Sequence, residues 1–202
     1  MSWEQFGVLF LMVTVLVGTP GPANLSLMAY GATVGAVRTL PFLVGTIAGF
    51  QAIFVLNALG MSGLLLLAPG LAVALKIACG AYMTYLAWKI ATSAPPQVSA
   101  RAPMRPWADF IRGLWLHPLN PKAYAMQVAV LGQIAAGKPT LSQFVVMAVT
   151  FALWGGVLNF IWSSGGGFMG RLATAPASYR ALVVSLAGLM LGSVVLSLAA
   201  IR

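Results

Sequence analysis

Acidic side chains are almost absent from this chain, two among 202 residues, and cysteine is rarer still, with Cys79 alone. A single thiol excludes an intramolecular disulfide, a multi-cysteine metal site and a thiol relay, which needs a resolving partner. Cys79 therefore reads as a small buried apolar residue. Ser163-Ser164-Gly165 has no base assigned to it, so no activated nucleophile is evident, and neither enzyme activity nor a cofactor is expected. Charge of either sign is scarce, at 6% of residues, and lopsided: eleven Lys and Arg give a formal net charge of +9. In a soluble protein that excess would raise nucleic acid as a partner. Here the basic residues sit at the ends of apolar stretches and form no contiguous face, which argues against nucleic-acid binding.

What is abundant is apolar. Hydrophobic residues make up 60% of the chain and the mean hydropathy is +0.95, more than one soluble core of this size can hide. A helix needs roughly 20 apolar residues to cross about 30 Å of hydrocarbon, which leaves room for about six or seven spans and for no soluble domain. Apolar stretches at about 6–32, 40–67, 71–91, 108–136, 141–164 and 179–201 give six spans in one transmembrane domain, 1–202. The fold class expected is all-α, embedded in the lipid bilayer.

The N-terminus, Met1-Ser2-Trp3-Glu4-Gln5, carries an acid where a secretory signal carries positive charge, and is read as leading into an uncleaved first span. The one long polar segment, about 93–106, runs from Ser93-Ala94-Pro95-Pro96-Gln97 to Arg105-Pro106. Lys89, Arg101, Arg105 and Arg112 around it place it in the cytoplasm. Alternation then puts Arg38, Arg171 and Arg180 inside too, seven basic residues against Lys138 and Arg202 outside, with both termini periplasmic. Trp3, Trp88, Trp107 and Trp162 are expected near the interfaces, and Lys76 is expected to snorkel.

Two spans are interrupted in their middles. Thr19-Pro20-Gly21-Pro22-Ala23-Asn24 breaks the first, and His117-Pro118-Leu119-Asn120-Pro121-Lys122 breaks the fourth. These are the first spans of two halves, about 1–92 and 107–202. A three-span unit that occurs twice must sit in opposite orientations, because three is odd, so an inverted repeat is expected. Gly45 and Gly49 in the second span correspond to Gly155 and Gly156 in the fifth, and Gly80 to Gly188.

Broken backbone at membrane depth is tolerated where it is buried in protein or lines a polar cavity, and paired breaks in two halves point to a substrate site. Thr19 is expected to cap a half-helix that starts near Ala23 with Pro22 in its first turn, which would aim free amides at the break and suit a carboxylate. The candidate substrate-binding residues are Pro20, Gly21, Pro22, Asn24, Asn120, Pro121 and Lys122. Lys122, a charge near mid-span, reads equally as a substrate or coupling residue and as a satisfied structural lysine. His117 reads as a proton relay or as hydrogen-bonded scaffold. Gln51, Asn57 and Asn159 are assigned to helix–helix hydrogen bonding, whereas Asn24 and Asn120, beside the breaks, are assigned to the site.

Pro20-Gly21-Pro22-Ala23-Asn24, then Gly80-Ala81-Tyr82 with Leu86-Ala87-Trp88-Lys89, then Asn120-Pro121-Lys122-Ala123 run in order through almost the whole chain. Together they resemble the signature of the lysine exporter and homoserine/threonine resistance (LysE/RhtB) family of bacterial transporters. The resemblance implies a six-span exporter of amino acids or their derivatives in the bacterial inner membrane, driven by the proton gradient and often a homodimer. Two positions depart from the family pattern. Phe50 stands where many members carry an acidic or other polar residue, which removes a fixed counter-charge for a substrate ammonium and favours neutral over dibasic substrates. His117 stands where an asparagine is common. Residues 86–93 also resemble the cysteine and O-acetylserine branch.

Two alternatives stay open. For a metal-cation exporter of the same superfamily, one histidine, no cysteine pair and no carboxylate expected within the spans leave too few ligands. Against a non-transporting membrane subunit stands the cost of two broken spans with no route to line.

Overall fold

Lipid offers no hydrogen bonds, so an apolar chain must pair its backbone groups within helices. The computed structural model describes residues 1–60, 67–93, 105–136, 138–173 and 175–200. In chain order the α-helices are α1 (Trp3–Gly18), α2 (Pro22–Val34), α3 (Leu40–Ala58), α4 (Pro69–Ala91), α5 (Pro106–Leu114), α6 (Pro121–Ala135), α7 (Leu141–Leu172) and α8 (Pro176–Ala200), and no strand occurs among the described residues.

The sequence marks the starts. α2, α3, α4, α5 and α6 each have proline in the first turn, where no intrahelical N–H bond is lost. α1 and α7 open with reciprocal capping boxes, Ser2 with Gln5 and Thr140 with Gln143.

Among the described residues three helices are long and apolar enough to cross a membrane: Val37–Ala58, Leu141–Leu172 and Pro176–Leu196. α1 and α2, bent by 58° at their junction, meet the same criterion as a pair. α7, with 32 residues, is about 48 Å long at 1.5 Å per residue and exceeds the hydrocarbon thickness.

Three expectations need adjustment. α3 stops at Ala58, short of the expected 67; residues 61–66 lie outside the described residues. The fourth span is broken as expected, but the break covers 115–120 rather than 117–122, between the nine-residue α5 and the fifteen-residue α6. α5 ends because Pro118 cannot donate to the Leu114 carbonyl, and Asn120, before Pro121, is extended. A carboxylate does lie in this segment: Asp109 on α5 is buried, bonded to Arg112 at 3.1 Å and beside Tyr30 of α2. Most of the expected cytoplasmic loop (94–104, with Arg101), the side chain of Lys76 and Arg202 lie outside the described residues.

Two apolar clusters hold the helices together. The first joins Leu9, Val13 and Val17 to Phe50, Phe54, Met126, Val130, Met147 and Phe151. The second joins Leu25 and Leu27 to Phe42, Met83, Leu116, Leu186 and Met190. At each break the chain passes between them, from Val17 to Ala23 and from Leu116 to Ala123.

Glycines let two helix pairs touch backbone to backbone. A Cβ on Gly31 would strike the Ser163 carbonyl, one on Gly166 the Met28 carbonyl and one on Gly170 the Ala32 carbonyl, which locks α2 onto α7. Gly45, Gly49 and Gly113 do the same between α3 and α5. Several contacts can be paired, α1 on α7 with α5 on α3, α2 on α7 with α6 on α3, and α2 on α4 with α6 on α8, beside α4 on α8; the packing of α2 on α8 has no comparable counterpart.

Cys79 is buried in α4 as a free thiol. Cys79→Ala removes one polarisable atom and should lower thermal stability by no more than about 1 kcal/mol, measured by thermal unfolding in detergent.

Candidate functional site

Where the first break interrupts the helical ladder, side chains take over the freed carbonyls. Thr19 is the C-cap of α1: its amide donates to Val15 O at 3.0 Å and its hydroxyl to Leu16 O at 3.1 Å. The Asn24 amide reaches back from α2 to Val17 O at 2.6 Å. Lys122 Nζ, arriving from α6, donates to Thr19 O at 2.9 Å, Thr19 Oγ1 at 3.0 Å and Pro20 O at 3.3 Å. An ammonium has three donors, and all three are engaged.

The expectation that Thr19 caps α2 is thereby corrected. The N-cap of α2 is Gly21 and no side chain bonds there, because Thr19 lies before both prolines and turns its hydroxyl back onto α1. The first-turn amides of α2 are left aimed at the break. Gly21 also makes room for the lysine: a Cβ there would lie 2.8 Å from Lys122 Cδ and 2.9 Å from Nζ.

The second break is bonded in the same way. Asn120 caps α6, its side chain accepting from the Lys122 amide at 3.1 Å, with Pro121 in the first turn. The Tyr124 hydroxyl donates to Pro118 O at 2.9 Å, and the Asn120 amide to His117 O at 3.0 Å.

Between the breaks lies a cavity of about 20 Å³, room for roughly one water molecule. Asn24, His117, Asn120 and Lys122 line it, whereas Pro20, Gly21, Pro22 and Pro121 shape the backbone around it without lining it. Val17, Ala23, Ile47, Phe50, Met126, Phe151 and Gly155 form its apolar wall. The Phe50 ring meets His117 edge-on at 4.9 Å and Phe151 at 4.8 Å, filling the position where an acid was missed in the sequence.

Two further polar side chains enter this cavity, Gln51 from α3 and Asn159 from α7. Both had been assigned to helix bonding. Gln51 does donate to Ala148 O at 2.9 Å, but Asn159 Oδ1 is buried without a hydrogen-bond partner, as is His117 Nδ1. Conversely Asn24 and Asn120, assigned to the site, spend a side-chain bond each on the breaks. The signal that could have found Gln51 and Asn159 is their place in mid-span beside the matched glycines Gly49 and Gly155-Gly156. Asn57 does tie helices together, donating to Gln127 at 2.6 Å while Gln127 donates to Phe50 O at 3.0 Å. Among the described residues no three His, Cys, Asp or Glu side chains lie together as metal ligands.

Comparison with known proteins follows the same frame. The profile of the LysE type translocator family matches residues 14–201. Proteins described as cysteine/O-acetylserine efflux proteins are similar over 165 residues. Those of Escherichia coli strain K12 and Shigella flexneri are 29% identical, with 81% of this chain and 82% of theirs covered. That of Escherichia coli O1:K1 is 28% identical with the same coverage. No solved structure matches the chain.

Proposed function

The chain belongs to the LysE type translocator family, a family of membrane transporters rather than enzymes, and from that membership we propose that it exports neutral amino acids or small derivatives of the cysteine and O-acetylserine kind across the bacterial inner membrane, coupled to the proton gradient. The observation that carries this reading is the cavity of about 20 Å³ between the two breaks, lined by polar residues from both halves. It is too small for an amino acid as it stands, and transport proceeds by the halves rocking open to one side and then the other around it. The matched helix pairs support six spans in two inverted three-helix repeats, and the excess of basic residues around 93–106 supports a cytoplasmic loop with both termini periplasmic.

The substrate's carboxylate would meet Lys122 and the uncapped first turn of α2, both positive, while the walls of Phe50, Met126 and Phe151 suit a short side chain. The absence of an acid from the lining supports neutral rather than dibasic substrates. His117 lines the same cavity and is the titratable side chain placed to relay a proton. A homodimer is the assembly the family resemblance suggests.

The test is efflux from vesicles loaded with a panel of labelled neutral and basic amino acids, with and without a proton gradient. Gradient-dependent efflux of a neutral amino acid or O-acetylserine is expected. Asn120→Ala removes the α6 cap, worth about 1 kcal/mol, and should abolish efflux while the protein still inserts and purifies normally. Wild-type efflux from that variant would displace the site from the breaks.

A further inference from the structure

The polar lining of the cavity is of two chemical kinds. Lys122 and the α2 N-terminus are electropositive. The other polar lining residues carry no fixed charge. Asn159 Oδ1 and His117 Nδ1 are buried without partners in side chains only 6% and 7% exposed. Gln51 directs its nitrogen to Ala148 O, which turns its carbonyl oxygen the opposite way as a further acceptor. Buried polar atoms left unpaired are costly and mark a place where a ligand completes the bonding.

We propose that Asn159, His117 and Gln51 form an ammonium subsite, so that the transporter recognises the zwitterion of a free α-amino acid, with carboxylate towards Lys122 and ammonium towards these three acceptors. This rests on the export reading above and specifies it. An ammonium donates three hydrogen bonds, and three neutral acceptors can take them. Its charge is balanced by the substrate's own carboxylate rather than by a protein acid, which none of the lining residues supplies. A cationic substrate would bring a second positive charge into a low-dielectric site that already holds Lys122, and a substrate with a blocked amine would leave the acceptors unpaired. Discrimination by unpaired polar groups is the strong kind, reaching several powers of ten where apolar pockets give only one or two.

O-acetylserine and N-acetylserine are isomers that differ in whether the acetyl group blocks the amine. Liposomes containing the wild-type protein, held under mildly acidic conditions that prevent acyl migration, are loaded with one or the other. O-acetylserine should leave at least about tenfold faster, and Asn159→Leu should remove most of that difference. Equal wild-type rates for the two isomers would overturn the subsite while leaving export standing. No efflux of either would overturn the export reading and the subsite with it. Asn159→Asp, nearly identical in shape, guards against a folding defect in the leucine variant: it should raise efflux of labelled lysine above wild type, and unchanged lysine efflux from folded Asn159→Asp protein would overturn the placement of the ammonium.

Discussion

Replacing Lys122 by alanine should lower efflux at least about tenfold without lowering the amount of protein in the membrane. Its ammonium donates to Thr19 O, Thr19 Oγ1 and Pro20 O, so one side chain from the second half holds the backbone of the first. Hydrogen bonds to charged groups contribute about 1.5–3 kcal/mol each, and 1.4 kcal/mol is a factor of ten. Alanine leaves two backbone carbonyls without donors and removes a positive charge from the cavity lining. Lys122→Met separates these effects from packing, since it keeps the apolar stem and loses only the head; it should be as defective as alanine. Lys122→Arg keeps the charge, but a planar guanidinium cannot place three donors on the same acceptors, and an intermediate rate is expected. Full efflux from Lys122→Ala would reduce the lysine to a dispensable strut.

Gly31→Val and Gly166→Val should each prevent recovery of a monodisperse protein. Both glycines lie where α2 and α7 touch, and an added side chain meets not a movable rotamer but the Ser163 or Met28 carbonyl. The helices would have to separate along their whole contact, a loss exceeding the roughly 1–3 kcal/mol of ordinary overpacking. Size-exclusion chromatography and thermal unfolding in detergent read the effect. Gly132→Ala on α6, with nothing within 4 Å of the new Cβ, is the control and should be neutral or stabilising by about 0.5–1 kcal/mol. A well-behaved Gly31→Val protein would mean that α2 and α7 do not pack this closely in the membrane.

Much of the frame was legible in the residues. Apolar length gave the helices, and proline in the first turn marked where six of them begin. The Pro-Gly-Pro and Pro-Leu-Asn-Pro segments located both breaks, because proline's missing donor acts locally and needs no partner to be read. Less legible was which polar group does what. Asn24 and Asn120 stand beside the breaks in sequence, yet their side chains are bonded to the backbone there, to Val17 O and to the Lys122 amide. Gln51 and Asn159 stand far from both breaks in sequence, yet they line the cavity between them. Asp109 was overlooked for a similar reason: its burial depends on how the short α5 lies against α3 and beside Tyr30 of α2, and nothing in its own neighbourhood announces it.

The sequence by itself determined that this is a helical membrane protein with its chain broken at two places, since hydropathy and proline geometry are properties of a few consecutive residues. Only the tertiary structure decided that Lys122 closes on the first break, that glycines bring α2 onto α7, and that Gln51, His117 and Asn159 share one cavity. Those are contacts between residues about forty to more than one hundred positions apart, and they follow from helix packing, which no local pattern encodes.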